Sequence, residues 1–270
     1  MKLDDAYANG AYIAGAQEYP PRWAAAAKAT RLATAGARDV SYGPSARQVY
    51  DIFEPKGPPK GTFVFVHGGY WLKFDKSWWS HLAEGALAHG WSVAMPSYDL
   101  CPEVGIADIT RQIAAFLGKL SEETDGPIVL AGHSAGGHLV ARMICEGVLP
   151  EEVVSRIVKV VPISPVADLR PLLETTMNEE FKLDLAAAEA ESPVLKKPVA
   201  GIPVTVWVGA DERPAFVEQA TRLAQSWGCD VMIAGGKHHF DVIDALGDVQ
   251  SDLMGVLIQN GLHGRATLSI

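Results

Sequence analysis

Ile128-Val129-Leu130-Ala131-Gly132-His133-Ser134-Ala135-Gly136-Gly137-His138-Leu139 is the stretch that decides how this chain folds. Its first four residues form a continuous apolar run, as expected of a strand buried on both faces. The residues 135–146 that follow suit a helix. Between them lies Gly-x-Ser-x-Gly, the pattern of a strand–turn–helix elbow that lifts a serine to the top of a sheet. A turn that sharp leaves little room for side chains beside the serine, hence the glycines. It also sets Ser134 at a helix start, where amides and the helix dipole favour developing negative charge. A glycine-rich turn with an incidental serine is the plainer reading, and the strand before and helix after argue against it.

The same texture extends in both directions. Buried-strand runs are expected at 62–66, 91–95, 158–163, 204–208 and 231–234, in addition to 128–131. Helix-compatible stretches at 78–89, 107–120, 135–146, 214–227 and 242–260 separate them. Such alternation implies an α/β fold with a mostly parallel central sheet and helices on both faces. Val40 to Tyr42 and Gln48 to Phe53, joined through Gly43-Pro44-Ser45, suggest an antiparallel hairpin ahead of it. Residues 1–38 read as an N-terminal helical segment, broken at Pro20-Pro21, packed on or over the main domain. The long interval 164–202 reads as an insertion of short helices forming a small cap. With no repeats and no linker, 1–270 is expected to be a single domain.

Composition excludes several classes. Lys+Arg 23 against Asp+Glu 32 gives a net charge of −9, the wrong sign for a protein that tracks phosphates, so no nucleic-acid partner is expected. No uncharged apolar run reaches the roughly 18–20 residues that cross a bilayer, and the acidic start Met1-Lys2-Leu3-Asp4-Asp5 is unlike a secretory signal. Cys101, Cys145 and Cys229 are scattered and odd in number. A cytoplasmic protein without disulfides or membrane span is the expectation. His67, His133, His138, His238 and His239 prompt a metal test, but no H-E-x-x-H or Cys/His spacing is present. Neither a metal nor another cofactor is expected, and the sequence leaves the oligomeric state open.

A serine hydroxyl needs a base, and the base needs an orienting acid. In chain order, acid then histidine should follow the serine. Asp211 stands in the loop after the run 204–208, and His238-His239 in the loop after 231–234, so all lie at the carboxyl edge of the sheet. Asp211 is preferred over its neighbour Glu212, which one step further along should point away. His238 and His239 cannot both face Ser134. Asp168, after a different strand, reads as a substrate or structural residue. Oxyanion donors are expected from the Ala135 amide and from His67-Gly68-Gly69-Tyr70-Trp71 after the strand 62–66, through Gly68, Gly69 and Tyr70. Tyr70, Trp71 and His133 are candidates for lining a substrate pocket, with core packing the competing role for Trp71.

Together these motifs resemble the α/β-hydrolase superfamily. Within it, His-Gly-Gly-Tyr-Trp in place of His-Gly-Gly-Gly is similar to the kynurenine formamidase (arylformamidase) group, itself related to hormone-sensitive-lipase-like carboxylesterases. Tyr98-Asp99-Leu100-Cys101-Pro102, Asp168-Leu169, Ser192-Pro193 and Leu3-Asp4-Asp5-Ala6-Tyr7 extend the resemblance over most of the chain. It implies Ser134 as nucleophile, Asp211 as acid and His239 as base, since the family's histidine precedes a phenylalanine, here Phe240. The implied activity is hydrolysis of an aryl formamide or small ester by Ser-His-Asp acyl transfer. A general short-chain carboxylesterase is the alternative, and a non-catalytic binding protein on this fold a remote one.

Overall fold

In the computed structural model, which describes residues 1–259, the apolar runs become the parallel part of one eight-stranded sheet. The strands are β1 (Val40–Ser41), β2 (Val49–Phe53), β3 (Thr62–Val66), β4 (Ser92–Pro96), β5 (Ile128–His133), β6 (Ile157–Ile163), β7 (Thr205–Gly209) and β8 (Asp230–Ala234). They are ordered β1-β2-β4-β3-β5-β6-β7-β8. The hairpin β1–β2 is antiparallel, β2 runs antiparallel to β4, and all later pairings are parallel.

The alternation of side chains across the sheet is clearest on β3. Phe63 and Phe65 enter one core, with Val93, Met95, Val129 and Ala131 of the neighbouring strands. Val64 and Val66 enter the other, with Ile128 and Leu130. Helices α1 (Tyr19–Ala33) and α2 (Glu84–Ala88) contribute Trp23 and Ala86 to the first face. Helices α3 (Ile106–Glu123) and α4 (Ala135–Met143) pack Ile109, Ile113, Phe116, Leu139 and Met143 on the second. Two-sided burial of this kind is why these strands read as apolar runs instead of alternating ones. After the short α5 (Glu151–Val154) come the cap helices α6 (Asn178–Phe181) and α7 (Leu185–Glu191), then α8 (Pro214–Trp227).

Three expectations need adjustment. Pro20 and Pro21 do not break the N-terminal helix but begin it, occupying the first turn of α1, where a missing N–H costs nothing. The expected helix 78–89 is two 3₁₀ turns followed by the single short α2. The expected helix 242–260 is likewise broken into a 3₁₀ turn (Asp244–Leu246), α9 (Asp252–Met254) and a π turn (Gly255–Gln259), and residue 260 lies outside the described residues. There the Asp248 carboxylate accepts from the Gln250 amide and the Ser251 hydroxyl caps Met254. These side chains compete locally with continuous helical bonding. Among the described residues, no helix is long and apolar enough to cross a membrane.

Candidate active site

The ladder between β3 and β5 ends at Val66↔Gly132, so the loops that follow the two strands leave the sheet edge side by side. At the end of β5 the chain turns through Ser134, with φ 57° and ψ −114°, and enters α4 at Ala135. That left-handed conformation is costly for a residue with a side chain and is held by its surroundings. Gly136 permits the turn. A Cβ there would lie 2.0 Å from the Val66 carbonyl oxygen. Gly68 also lets the neighbouring loop approach closely: a Cβ on it would meet the His133 carbonyl at 2.8 Å and Ser134 Cβ at 3.1 Å.

The loop beginning at His67 is fixed from several sides. The Tyr98 hydroxyl donates to the His67 carbonyl at 2.8 Å, and the two rings stack at 4.3 Å. The Leu72 and Lys73 amides both donate to the Gly69 carbonyl, and Cys101 N–H donates to the Trp71 carbonyl. Tyr70 and Trp71 both adopt positive φ, 54° and 57°. Among the described residues the amides of Gly69 and Tyr70 have no backbone acceptor, and Ala135, as the first residue of α4, carries one of the helix's free N–H groups. Three donors therefore stand on the two loops that flank Ser134.

The acid is where the structure departs from the sequence reading. Glu212, not Asp211, is bonded to His239: its Oε2 lies 2.6 Å from His239 Nδ1. Its Oε1 accepts from the Ser164 hydroxyl and from the Gly209 amide at 2.9 Å. Asp211 is exposed and its amide merely donates to the Lys237 carbonyl. After β7 ends at Gly209, the second residue of the loop, Asp211, faces solvent and the third, Glu212, is buried. Burial pushes the Glu212 carboxyl toward neutrality, but the His239 imidazole and the hydrogen bonds from His239, Ser164 and Gly209 outweigh it and hold the pKa below the usual range. Glu212 is thus a buried carboxylate at neutral pH.

His239 lines the same cavity as Ser134, packed between the rings of His133 at 4.5 Å and Phe216 at 4.4 Å. Burial, reinforced by the neighbouring His239, pushes His133 well below the ordinary histidine range, so it stays neutral. His238 faces the other way. Its Nε2 meets the Tyr19 hydroxyl at 3.0 Å, and its Nδ1 accepts from the Phe240 and Asp241 amides.

The cavity holds about 570 Å³ and is walled by Trp23, Phe74, Trp79 and Phe240. Of the expected pocket residues, Tyr70 and His133 line this cavity and Trp71 does not. Trp71 is fully buried beneath the cap, edge-on to His138 and Phe181. Most of the outer wall comes instead from the N-terminal segment, through Tyr7, Ala8, Asn9, Ala11 and Gln17. Sequence reading placed this segment on or over the main domain but gave none of its residues a role at the site. Asp168 lies outside the cavity, buried and ion-paired with Arg170 and Arg222. His138 is bound to the Glu191 carbonyl at 2.7 Å, its pKa pushed down to about 4 by burial. Among the described residues no group of His, Cys, Asp or Glu side chains is arranged to hold a metal ion.

Comparison with known proteins identifies the family. A family model described as the alpha/beta hydrolase family matches residues 63–249. The kynurenine formamidase of Drosophila melanogaster is 29% identical over 237 residues, covering 79% of this chain and 78% of that protein. The kynurenine formamidase of Danio rerio is 26% identical, covering 85% and 83%. A crystal structure from Silicibacter sp. TM1040, of a protein described as a candidate thioesterase, is 60% identical with a TM-score of 0.94, covering 95% of this chain and 99% of that one.

Proposed function

The chain belongs to the alpha/beta hydrolase family, and on that premise we propose that it hydrolyses an aryl formamide by serine acyl transfer, with Ser134, His239 and Glu212 as the triad. The observation that carries this reading is the position of one ring: His239 is held at Nδ1 by buried Glu212 and lines the cavity beside Ser134. A carboxylate on Nδ1 fixes the tautomer whose Nε2 is free to take a proton.

Ser134 Oγ adds to the formyl carbon while His239 Nε2 takes the hydroxyl proton. The amides of Gly69, Tyr70 and Ala135, beside Gly68, receive the oxyanion. The C–N bond then breaks, and His239 returns the proton to the departing aryl amine. Water, deprotonated by the same histidine, attacks the formyl ester and releases formate and free Ser134. The aromatic walls suit a flat leaving group, and the formamidases among the relatives point to the same substrate class. The partner is then a small molecule alone. The three free cysteines fit the reducing cytoplasm as its location.

A second reading, hydrolysis of a short acyl ester or thioester with the same residues, is favoured by the description of the Silicibacter protein. The two separate in one experiment, a side-by-side kcat/KM for N-formylkynurenine, p-nitrophenyl acetate and an acetyl thioester. The formamide is expected to lead. A hundredfold advantage for either ester would replace the formamidase reading with the second one.

A further inference from the structure

Of the polar side chains in the cavity wall that acyl transfer does not use, Gln17 and Lys73 are exposed, whereas Asn9 is buried. Asn9, in the short turn Asn9–Tyr12, is 5% exposed and lines the cavity together with Ser134 and His239. Building on the formamidase reading, we infer that Asn9 Oδ1 receives the N–H of the scissile amide and thereby sets a preference for an aryl formamide over the matching ester.

The orientation of the Asn9 amide follows from its neighbours. The Tyr70 hydroxyl donates its only proton to the Tyr7 carbonyl at 2.7 Å. Toward Asn9 it can therefore only accept, and Asn9 Nδ2 faces it at 3.5 Å. The reverse orientation would set two acceptors against each other. Oδ1 is consequently left over, buried and without a partner among the described residues. Unpartnered buried nitrogens also occur on the cavity-lining Trp23, Trp79 and His133. The indoles can only donate and the imidazole can do either, whereas Asn9 Oδ1 can only accept. A buried acceptor that lacks a donor is expensive, and a bound amide N–H supplies one. An ester oxygen in the same place would turn a lone pair toward Oδ1, so the contact separates the two substrates by attraction and by repulsion.

The segment carrying Asn9 is held in place before substrate arrives. The Thr176 amide donates to Asp4 at 2.6 Å, Arg213 pairs with Asp5 at 2.8 Å, and Gln219 donates to the Tyr7 hydroxyl at 3.0 Å. The position of the acceptor is thus fixed by contacts at residues 4, 5 and 7 just ahead of it, and its orientation by Tyr70.

The test compares formanilide, phenyl formate and N-formylkynurenine on the full chain and on Asn9→Leu, with Asn9→Ala as a second variant should the first fold poorly. The ratio of kcat/KM for formanilide to that for phenyl formate should fall about five- to hundredfold in the variant. An equal loss on both, or no loss, would overturn the inference. So would a loss confined to N-formylkynurenine, which would assign Oδ1 to that molecule's ammonium group. Should the wild-type protein fail to cleave formanilide, the formamidase reading falls on its own. Inhibition by formanilide of p-nitrophenyl acetate hydrolysis then reads the contact. A Ki at least fivefold higher in Asn9→Leu supports it, and an unchanged Ki overturns it.

Discussion

Replacing Glu212 by Gln removes one oxygen's charge and almost nothing else, which makes it the sharpest test of the site. The amide oxygen of Gln can still accept from Ser164 and from the Gly209 amide, the two partners of Oε1. Its NH₂ then replaces Oε2, 2.6 Å from His239 Nδ1. Two donors cannot face each other at that distance, so His239 must shift its proton to Nε2. The nitrogen that should take the Ser134 proton is then already occupied. Loss of the correct tautomer in the analogous serine-protease substitution costs about 10⁴ in kcat, about 5.4 kcal/mol at 1.36 kcal/mol per decade. A loss of that order is expected for Glu212→Gln with p-nitrophenyl acetate, alongside a thermal unfolding midpoint within a few degrees of wild type. Asp211→Asn, on the exposed neighbour, should stay within threefold. Glu212→Gln activity within tenfold of wild type, or a larger loss in Asp211→Asn, would refute the assignment of the acid.

Four further outcomes are expected. Ser134→Ala should abolish hydrolysis and covalent labelling by a fluorophosphonate, and labelling that persists would place the nucleophile elsewhere. His239→Ala should inactivate the protein while His238→Ala keeps the greater part of its activity, as measured with p-nitrophenyl acetate; the opposite ranking would exchange their roles. Trp71→Leu should destabilise by about 2–4 kcal/mol in denaturant unfolding, because it opens a cavity in a fully buried site, and should lower kcat/KM similarly for aryl and alkyl substrates; a loss confined to aryl substrates would put its ring in the pocket after all. Burial raises the Glu191 pKa, but hydrogen bonds from Arg142 and Thr110 more than offset this and hold it below its ordinary 4.5; the unfolded chain therefore binds the extra proton, stability is full above about 4.5 and falls as pH drops through the folded value, and Glu191→Gln should flatten that acid slope in urea titrations while lowering stability at pH 7.

The parts of this molecule that sequence reveals are those in which a local pattern and a buried environment coincide. Apolar runs marked β3 to β7 because both faces of the sheet are covered there, and Gly132 to Gly136 marked the elbow because backbone crowding there rejects side chains. The run 231–234, expected to be a buried strand, is instead the sheet's edge strand β8, with Met232 and Ile233 exposed. The acid was less legible. Asp211 and Glu212 are adjacent carboxylates in the same loop, and which one faces inward depends on the turn set by the Asp211 amide on the Lys237 carbonyl, a contact across 26 positions. Either acid satisfies the order Ser, acid, His. Trp71 was misplaced for a related reason: two successive positive-φ residues twist the loop so that Tyr70 and Trp71 part company, and no sequence rule foresees such a pair for bulky residues.

The N-terminal segment shows a different limit, and it explains why two adjacent histidines are both occupied. Its turns Asp5–Tyr7, Asn9–Tyr12 and Ala16–Glu18 are too short to carry a helical period. They hold their places through partners far away in sequence, Asp5 on Arg213 and Tyr7 on Gln219. At the end of the segment, Tyr19 sets its hydroxyl on His238, the residue beside the proposed base. One loop thus presents His239 inward to the cavity and His238 outward to the segment that roofs it.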